Sequence, residues 1–182
     1  MRMSVRKMAV AGVLGAVSVI MGMVPFLGFI QLPVGPAATI MHVPVIIGAV
    51  AEGSGVGTFV GFIFGLMSWL RATDPIFKDL LIAMVPRLLI GLASASAFRL
   101  FRRWGLVAAL AGAAVVGTLT NTVLVLGLIA LRGYYPIPVV VGAALTNGTA
   151  EVIVSVILVV AVGLALHRAG YVRRDEKPRR TA

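Results

Sequence analysis

The 182-residue chain has no cysteine and only six acidic residues. The first absence excludes a disulfide framework, thiol catalysis and any Cys-ligated metal centre. The second leaves four carboxylates outside the extreme C-terminus, Glu52, Asp74, Asp79 and Glu151, scattered rather than clustered. No aspartate cluster of the kind a membrane-embedded metal-dependent transferase needs is therefore available. There is no HExxH and no phosphate-cradling GxxxxGK[ST]. Gly53–Ser54–Gly55 has no histidine base in reach, so it does not read as a serine-protease site. Nothing points to an enzyme, a metal or a cofactor. Charged residues amount to 12% against 60% hydrophobic ones, where soluble domains have about 25% and roughly 45–50%. That is too little polar sequence to cover a soluble globule, and too much apolar sequence for disorder. The formal net charge of +10 does not indicate nucleic acid, because a nucleic-acid binder carries its basic face beside an ordinary polar surface.

What is present is length in apolar runs. A membrane-crossing helix needs about 20 mostly apolar residues, and six segments qualify or nearly do: Met8–Val24, Ala37–Ala51, Val56–Leu70, Asp79–Phe98, Gly105–Leu131 and Val139–His167. The second and third are short and need flanking residues. The last is long, with room for an irregular start around Gly142–Gly148. The expected fold is an all-α integral membrane bundle of six transmembrane helices (residues 1–168) with a basic tail (residues 169–182). The first run follows Arg2, Arg6 and Lys7, as in a signal peptide, but lacks a small-x-small cleavage site before Pro25, so it is expected to be retained.

Loop charges set the orientation. With the N-terminus inside, twelve basic residues are cytoplasmic: Arg2, Arg6, Lys7, Arg99, Arg102, Arg103, Arg168, Arg173, Arg174, Lys177, Arg179 and Arg180. Arg71, Lys78 and Arg132 are external, and Arg87 is left inside a span. Both termini are then cytoplasmic, and the C-terminal basic run reads as a topology anchor. Small residues at four-residue spacing mark close helix packing. Such stripes are Gly53, Gly57, Gly61, Gly65; Ala109, Ala113, Gly117, Asn121; and Ala93 with Ala97. The first helix has small residues on two faces, Ala11 with Gly15 and Gly12 with Ala16, so one face is spare for a partner.

Polar residues within the spans are few, expensive and informative. Arg87, Asn121, Asn147, Glu151 and His42 all fall in the outer halves of their helices at about 1.5 Å rise per residue, which points to a polar site open to the outside above a sealed cytoplasmic half. Each has two readings. Arg87 and Glu151 are either a buried ion pair or, for Arg87, the counter-ion of an anionic ligand. Asn121 and Asn147 are interhelical hydrogen-bond partners or ligand contacts. His42 serves backbone groups freed by Pro44 or touches ligand. Trp69, Tyr134 and Tyr135 form an aromatic belt or a lid, and the uncharged, Pro/Gly-rich stretch Pro25–Pro36 is suited to cap an outer cavity.

The segments ATIMHVPVIIGAVAEGSGVGTFVGFIFGL (38–66), PRLLIGL (86–92), GTLTNTVLVLG (117–127) and TNGTAEVIVS (146–155) resemble the S components of energy-coupling factor (ECF) vitamin transporters, nearest in flavour to the pantothenate-type subgroup. The resemblance spans about Met8 to Leu166. It implies a multi-pass plasma-membrane subunit of a prokaryote that binds a water-soluble vitamin near the outer face, beneath the first loop. Pantothenate stands first, with folate, riboflavin or hydroxymethylpyrimidine as alternatives. It implies partners too: a transmembrane T component and two cytoplasmic ATPases. The family's first helix meets the T component through an AxxxA-like face, here Ala11/Gly15 or Gly12/Ala16. The subgroup's proline before the glutamate of the last helix is Ala150 in this chain. A stand-alone secondary transporter remains a second class, although no inverted repeat with paired broken helices is evident.

Overall fold

The computed structural model describes residues 4–30, 38–72 and 74–172. Most of the first loop (31–37), the basic residues Arg2, Arg173, Arg174, Lys177, Arg179 and Arg180, and so nearly all of the expected tail, lie outside them. The architecture is helical: α1 Val5–Met23, α2 Pro25–Gly28, α3 Val43–Glu52, α4 Ser54–Leu70, α5 Leu80–Phe101, α6 Leu106–Leu131 and α7 Ile137–Arg168. Two-residue strands β1 (Phe29–Ile30) and β2 (Ala38–Thr39) pair antiparallel between α2 and α3. α1, α5, α6 and α7 are long and apolar enough to cross a membrane; α3 and α4 are shorter apolar helices.

Two expectations are corrected. The second apolar segment, expected from Ala37, is not helical over its described residues 38–42. Its helix begins at Val43, because Pro44 has no N–H to continue a helix inward from Ile40 and is tolerated only in a first turn. At 1.5 Å per residue its ten residues reach about 15 Å, half of a roughly 30 Å hydrocarbon layer. β2 and the turn at Met41–His42 precede it without a helix. The last segment has no irregular start: Gly142 and Gly148 lie inside one continuous 32-residue helix. Its lone proline near the start, Pro138, sits in the first turn and breaks nothing.

The helix ends segregate into two layers. Arg6 Nε pairs with Glu52 at 2.6 Å and Arg6 Nη2 donates to the Tyr171 carbonyl at 2.7 Å, so the start of α1, the end of α3 and the exit of α7 meet. At the opposite end, Arg132 grips Asp79 (Nε to Oδ2 2.9 Å). Asp79 also caps α5 through the Leu81 N–H. Trp69 Nε1 donates to the Lys78 carbonyl at 3.1 Å, pinning the 3-10 turn Pro75–Lys78 there.

The core forms where side chains vanish. A Cβ on Gly57 would fall 2.6 Å from the Ala49 Cβ and 3.0 Å from the Gly91 Cα. One on Gly61 would run into the Arg87 carbonyl, and one on Gly65 would stand 3.0 Å from the Ala83 carbonyl. The glycine stripe of α4 is thus the seam with α5. Gly53 is the exception: it has φ +95° with nothing near its Cβ position and makes the break between α3 and α4. Ala109, Ala113, Gly117 and Asn121 are all buried on α6. On α1 the buried residues are Ala11, Gly15 and Ser18, while Gly12 and Ala16 are exposed.

Gly91→Leu should abolish the α4–α5 contact, since overpacking that meets backbone cannot be relieved by side-chain shifts. The expected outcome is loss of monodisperse protein in detergent, or a melting temperature far below wild type. Gly12→Ala, into open space, should melt as wild type does.

Candidate functional site

Pro86 makes the first feature of the site. A proline inside a helix lacks the N–H that would bond the carbonyl four residues earlier, here Ile82. That orphaned carbonyl accepts from the Arg87 guanidinium instead, Nη1 to O at 2.5 Å. The guanidinium also meets Ser68 Oγ at 3.5 Å. It lies over two rings, with Cζ 5.2 Å from the Phe64 centroid and 5.5 Å from that of Phe77, within cation–π range. Phe77 comes from the pinned 3-10 turn, so that turn covers the arginine. Arg87 is 4% exposed, and its Nε has no partner.

A second cluster joins three segments. The Glu151 carboxylate on α7 accepts from the backbone N–H of Thr39 at 2.8 Å (Oε1) and from the Thr122 hydroxyl at 3.0 Å (Oε2). One turn along α6, Thr118 Oγ1 lies 2.9 Å from His42 Nε2. The non-helical half of the second apolar segment is therefore fastened at both ends, Thr39 to α7 and His42 to α6. Backbone without a helix survives at membrane depth only where protein or a cavity satisfies it, and the Glu151 carboxylate does so for Thr39. Asn121 sits on the same face of α6 as Thr118 and Thr122, buried, its Oδ1 without a partner. Asn147 is half-buried one turn before Glu151 on α7; its Oδ1 meets only the neighbouring Thr146 hydroxyl at 3.3 Å.

His42, Glu151 and Asn121 are thus brought to one neighbourhood, with Asn147 one turn outward. Arg87 stands on α5 under its own aromatic cover. It is not ion-paired with Glu151: the guanidinium is held by the Ile82 carbonyl and Ser68 with Nε unpartnered, and the carboxylate by Thr39 and Thr122. Nor does the His42 ring serve the backbone freed by Pro44; it turns to Thr118. Trp69 is a strut for the 3-10 turn, while Tyr134 and Tyr135 are exposed beyond α6. The network residues that sequence reasoning passed over are Thr39, Thr118, Thr122, Phe64 and Phe77. The threonines carried a signal: Thr118 and Thr122 stand four residues apart on the row Leu110–Ala114, beside the small-residue stripe Ala109–Ala113–Gly117 that ends in Asn121. Among the described residues no group of His, Asp or Glu is placed to hold a metal ion.

Chemically the arrangement offers a cation, an anion, an imidazole, carboxamides and hydroxyls in a dry setting. Three buried atoms, Arg87 Nε, His42 Nδ1 and Asn121 Oδ1, await partners. Buried polar groups are nearly always satisfied, and each exception needs a reason. A small, multiply polar molecule with a carboxylate would supply what they lack.

Comparison with known proteins identifies the family. Residues 6–163 match the family described as ECF transporter, substrate-specific component. The pantothenic acid transporter PanT of Lactococcus lactis subsp. cremoris is 35% identical over 162 residues, covering 75% of this chain and 80% of the relative. The pantothenate transporter PanT of Leuconostoc mesenteroides subsp. mesenteroides is 30% identical over 177 residues, covering 83% and 87%.

Three substitutions separate the roles of the site's supports. Glu151→Ala leaves the Thr39 N–H unpaired, so hydrogen–deuterium exchange of the peptide containing Thr39 should accelerate relative to wild type. Thr122→Val, which spares that bond, should leave its exchange nearly unchanged. Pro86→Ala restores a donor to the Ile82 carbonyl. It should raise the melting temperature slightly, as proline is costly in a helix interior, while altering ligand affinity through a displaced Arg87.

Proposed function

The chain belongs to the substrate-specific component family of ECF transporters, and we propose that it captures pantothenate from outside the cell for ATP-driven uptake. The observation that carries the ligand is the pairing of a buried guanidinium, Nε unpartnered, with relatives named as pantothenate transporters. Pantothenate has one carboxylate, one amide and two hydroxyls. Arg87 matches the carboxylate as a planar fork. Asn121, Asn147, Glu151 and His42 match the amide and hydroxyls. Capture requires Phe77 and its 3-10 turn to lift from Arg87, and Thr39 to yield part of its hold on Glu151.

In this reading the protein is a multi-pass plasma-membrane subunit with six crossings and both termini cytoplasmic. α3 plus the non-helical stretch before it makes the second crossing, and α4, about 25 Å long by its 17 residues, the third. The Arg6–Glu52 end is cytoplasmic and the Asp79–Arg132 end external, as the charge count requires. The partners are a T component and two ATPases, with the subunit reorienting in the membrane as ATP is hydrolysed. Of the two small-residue faces on α1, Ala11 and Gly15 are occupied within the subunit: a Cβ on Gly15 would lie 2.6 Å from Ile63 Cδ1. Gly12 and Ala16 are exposed, so theirs is the face offered to the T component.

Calorimetry on purified protein should give sub-micromolar pantothenate binding; tight binding of folate, riboflavin or hydroxymethylpyrimidine in its place would overturn the ligand. Arg87→Gln should weaken binding by about 2 kcal/mol or more, roughly thirtyfold, in a protein that still melts cooperatively. Gly12→Leu with Ala16→Leu should keep pantothenate binding but abolish uptake by the assembled transporter, whereas Gly15→Leu should impair folding itself. Uptake into vesicles lacking T component and ATPases would instead favour a secondary transporter.

A further inference from the structure

Threonine hydroxyls in an apolar helix commonly donate to the carbonyl one turn back. Thr120, Thr122, Thr146 and Thr149 do so, at 2.7–3.1 Å. Thr118 does not. Among the described residues its Oγ1 meets a single group, His42 Nε2 on the turn before α3, at 2.9 Å. Both side chains are fully buried. Ser155 is buried on α7 one turn past Glu151, as Thr118 is one turn before Thr122 on α6, and its hydroxyl bonds to nothing. It therefore does not compete for the Thr118 proton.

That proton decides the state of the ring. A hydroxyl has one proton, and a neutral imidazole has one N–H. Among the described residues no carboxylate bonds His42, so nothing holds a second proton on the buried ring. With no carbonyl to take it, the Thr118 proton is directed at Nε2, which must accept through its lone pair. The ring proton then resides on Nδ1, because the bond made by one imidazole nitrogen fixes the other. Nδ1 becomes a donor, buried and without an acceptor. The opposite tautomer would strand the Thr118 proton as well, adding the cost of a buried unsatisfied donor. Three residues along α6, Asn121 Oδ1 is a buried acceptor without a donor.

We infer that Thr118 is a positioning residue: by donating to His42 Nε2 it fixes the Nδ1–H tautomer, and so makes His42 the donor to the amide carbonyl of the ligand. Asn121 accepts from the amide N–H. The ligand half of this inference rests on the proposed capture of pantothenate; the tautomer half does not. Together the two unpaired atoms match the two polar groups of one secondary amide. A site with buried polar groups rejects a ligand that leaves them unpaired. A ligand without an acceptor is therefore refused at His42, and one without a donor, such as an ester, at Asn121.

The tautomer is read without ligand, by long-range proton–nitrogen NMR of the purified protein labelled at histidine, with His167→Gln supplying the assignment. Wild type should show His42 protonated at Nδ1. Thr118→Ser should keep that state. Thr118→Val, which retains the shape and loses the hydroxyl, should lose it. Calorimetry then compares pantothenate with its thioamide, whose sulfur is the weaker acceptor. Thr118→Val should weaken pantothenate binding about tenfold, and Thr118→Ser much less. The preference of wild type for amide over thioamide should vanish in Thr118→Val. Melting checks that each variant folds; the wild-type spectrum and Thr118→Ser remain decisive if the valine variant does not. A wild-type ring protonated at Nε2, or a Thr118→Val spectrum like that of wild type, would overturn the role of Thr118. An amide preference undiminished in Thr118→Val would overturn the carbonyl contact. Tight binding of another vitamin in place of pantothenate fails the ligand reading, and the spectrum of the free protein still decides the tautomer.

Discussion

The close approach of α4 and α5 is the contact on which the rest is arranged. Between helices in lipid the hydrophobic effect gives no net drive, so association depends on backbone proximity and packing. Gly57, Gly61 and Gly65 on one side, and Gly91 on the other, remove the side chains that would hold the two axes apart. The same seam sets the register of the arginine. Gly61 lies against the carbonyl of Arg87, so the residue that carries the guanidinium is fixed along α4 by an absence of side chain. Phe64 and Ser68, one and two turns further along α4, then fall where they meet the guanidinium.

The second constraint is the accounting of backbone polar groups where water is scarce. Two prolines create vacancies, and the fold answers each with a polar side chain from the sequence nearby or opposite. Pro86 frees the Ile82 carbonyl, and the next residue, Arg87, takes it. Pro44 sets the start of α3, and the non-helical residues before it are met by Glu151 and Thr118. Structural satisfaction and the proposed ligand capture therefore draw on the same residues, so that under that proposal a ligand enters partly by exchange.

Much of this was legible in the sequence because the bilayer imposes simple rules. The long apolar runs, the segregation of basic residues and the small-residue stripes became α1, α5, α6 and α7, the two-ended charge layout and the α4–α5 seam. The start of α3 is not legible in hydropathy, which does not distinguish helix from buried extended chain; the information lies in Pro44. The unbroken α7 shows the converse: Gly142 and Gly148 keep their backbone N–H groups, so each costs a long apolar helix only about 1 kcal/mol and does not break it. At the site, charged and carboxamide residues stood out as costly in lipid. The hydroxyl partners Thr118 and Thr122 did not, because threonine is cheap there and reveals itself only through a partner from a distant segment. The separation of Arg87 from Glu151 was beyond sequence reasoning, since it depends on which helices face each other.

The Arg6 junction gives the bundle a mechanical property. α1 is the least buried of the long helices, 17% of its apolar window against 50% for α5, and would by packing alone be the easiest to peel away. Yet its first turn is bonded to Glu52 at the end of α3 and to Tyr171 just past α7. Under the proposed reorientation, a load taken up by the exposed side of α1 would pass through Arg6 to the end of α3 and the residues just past α7.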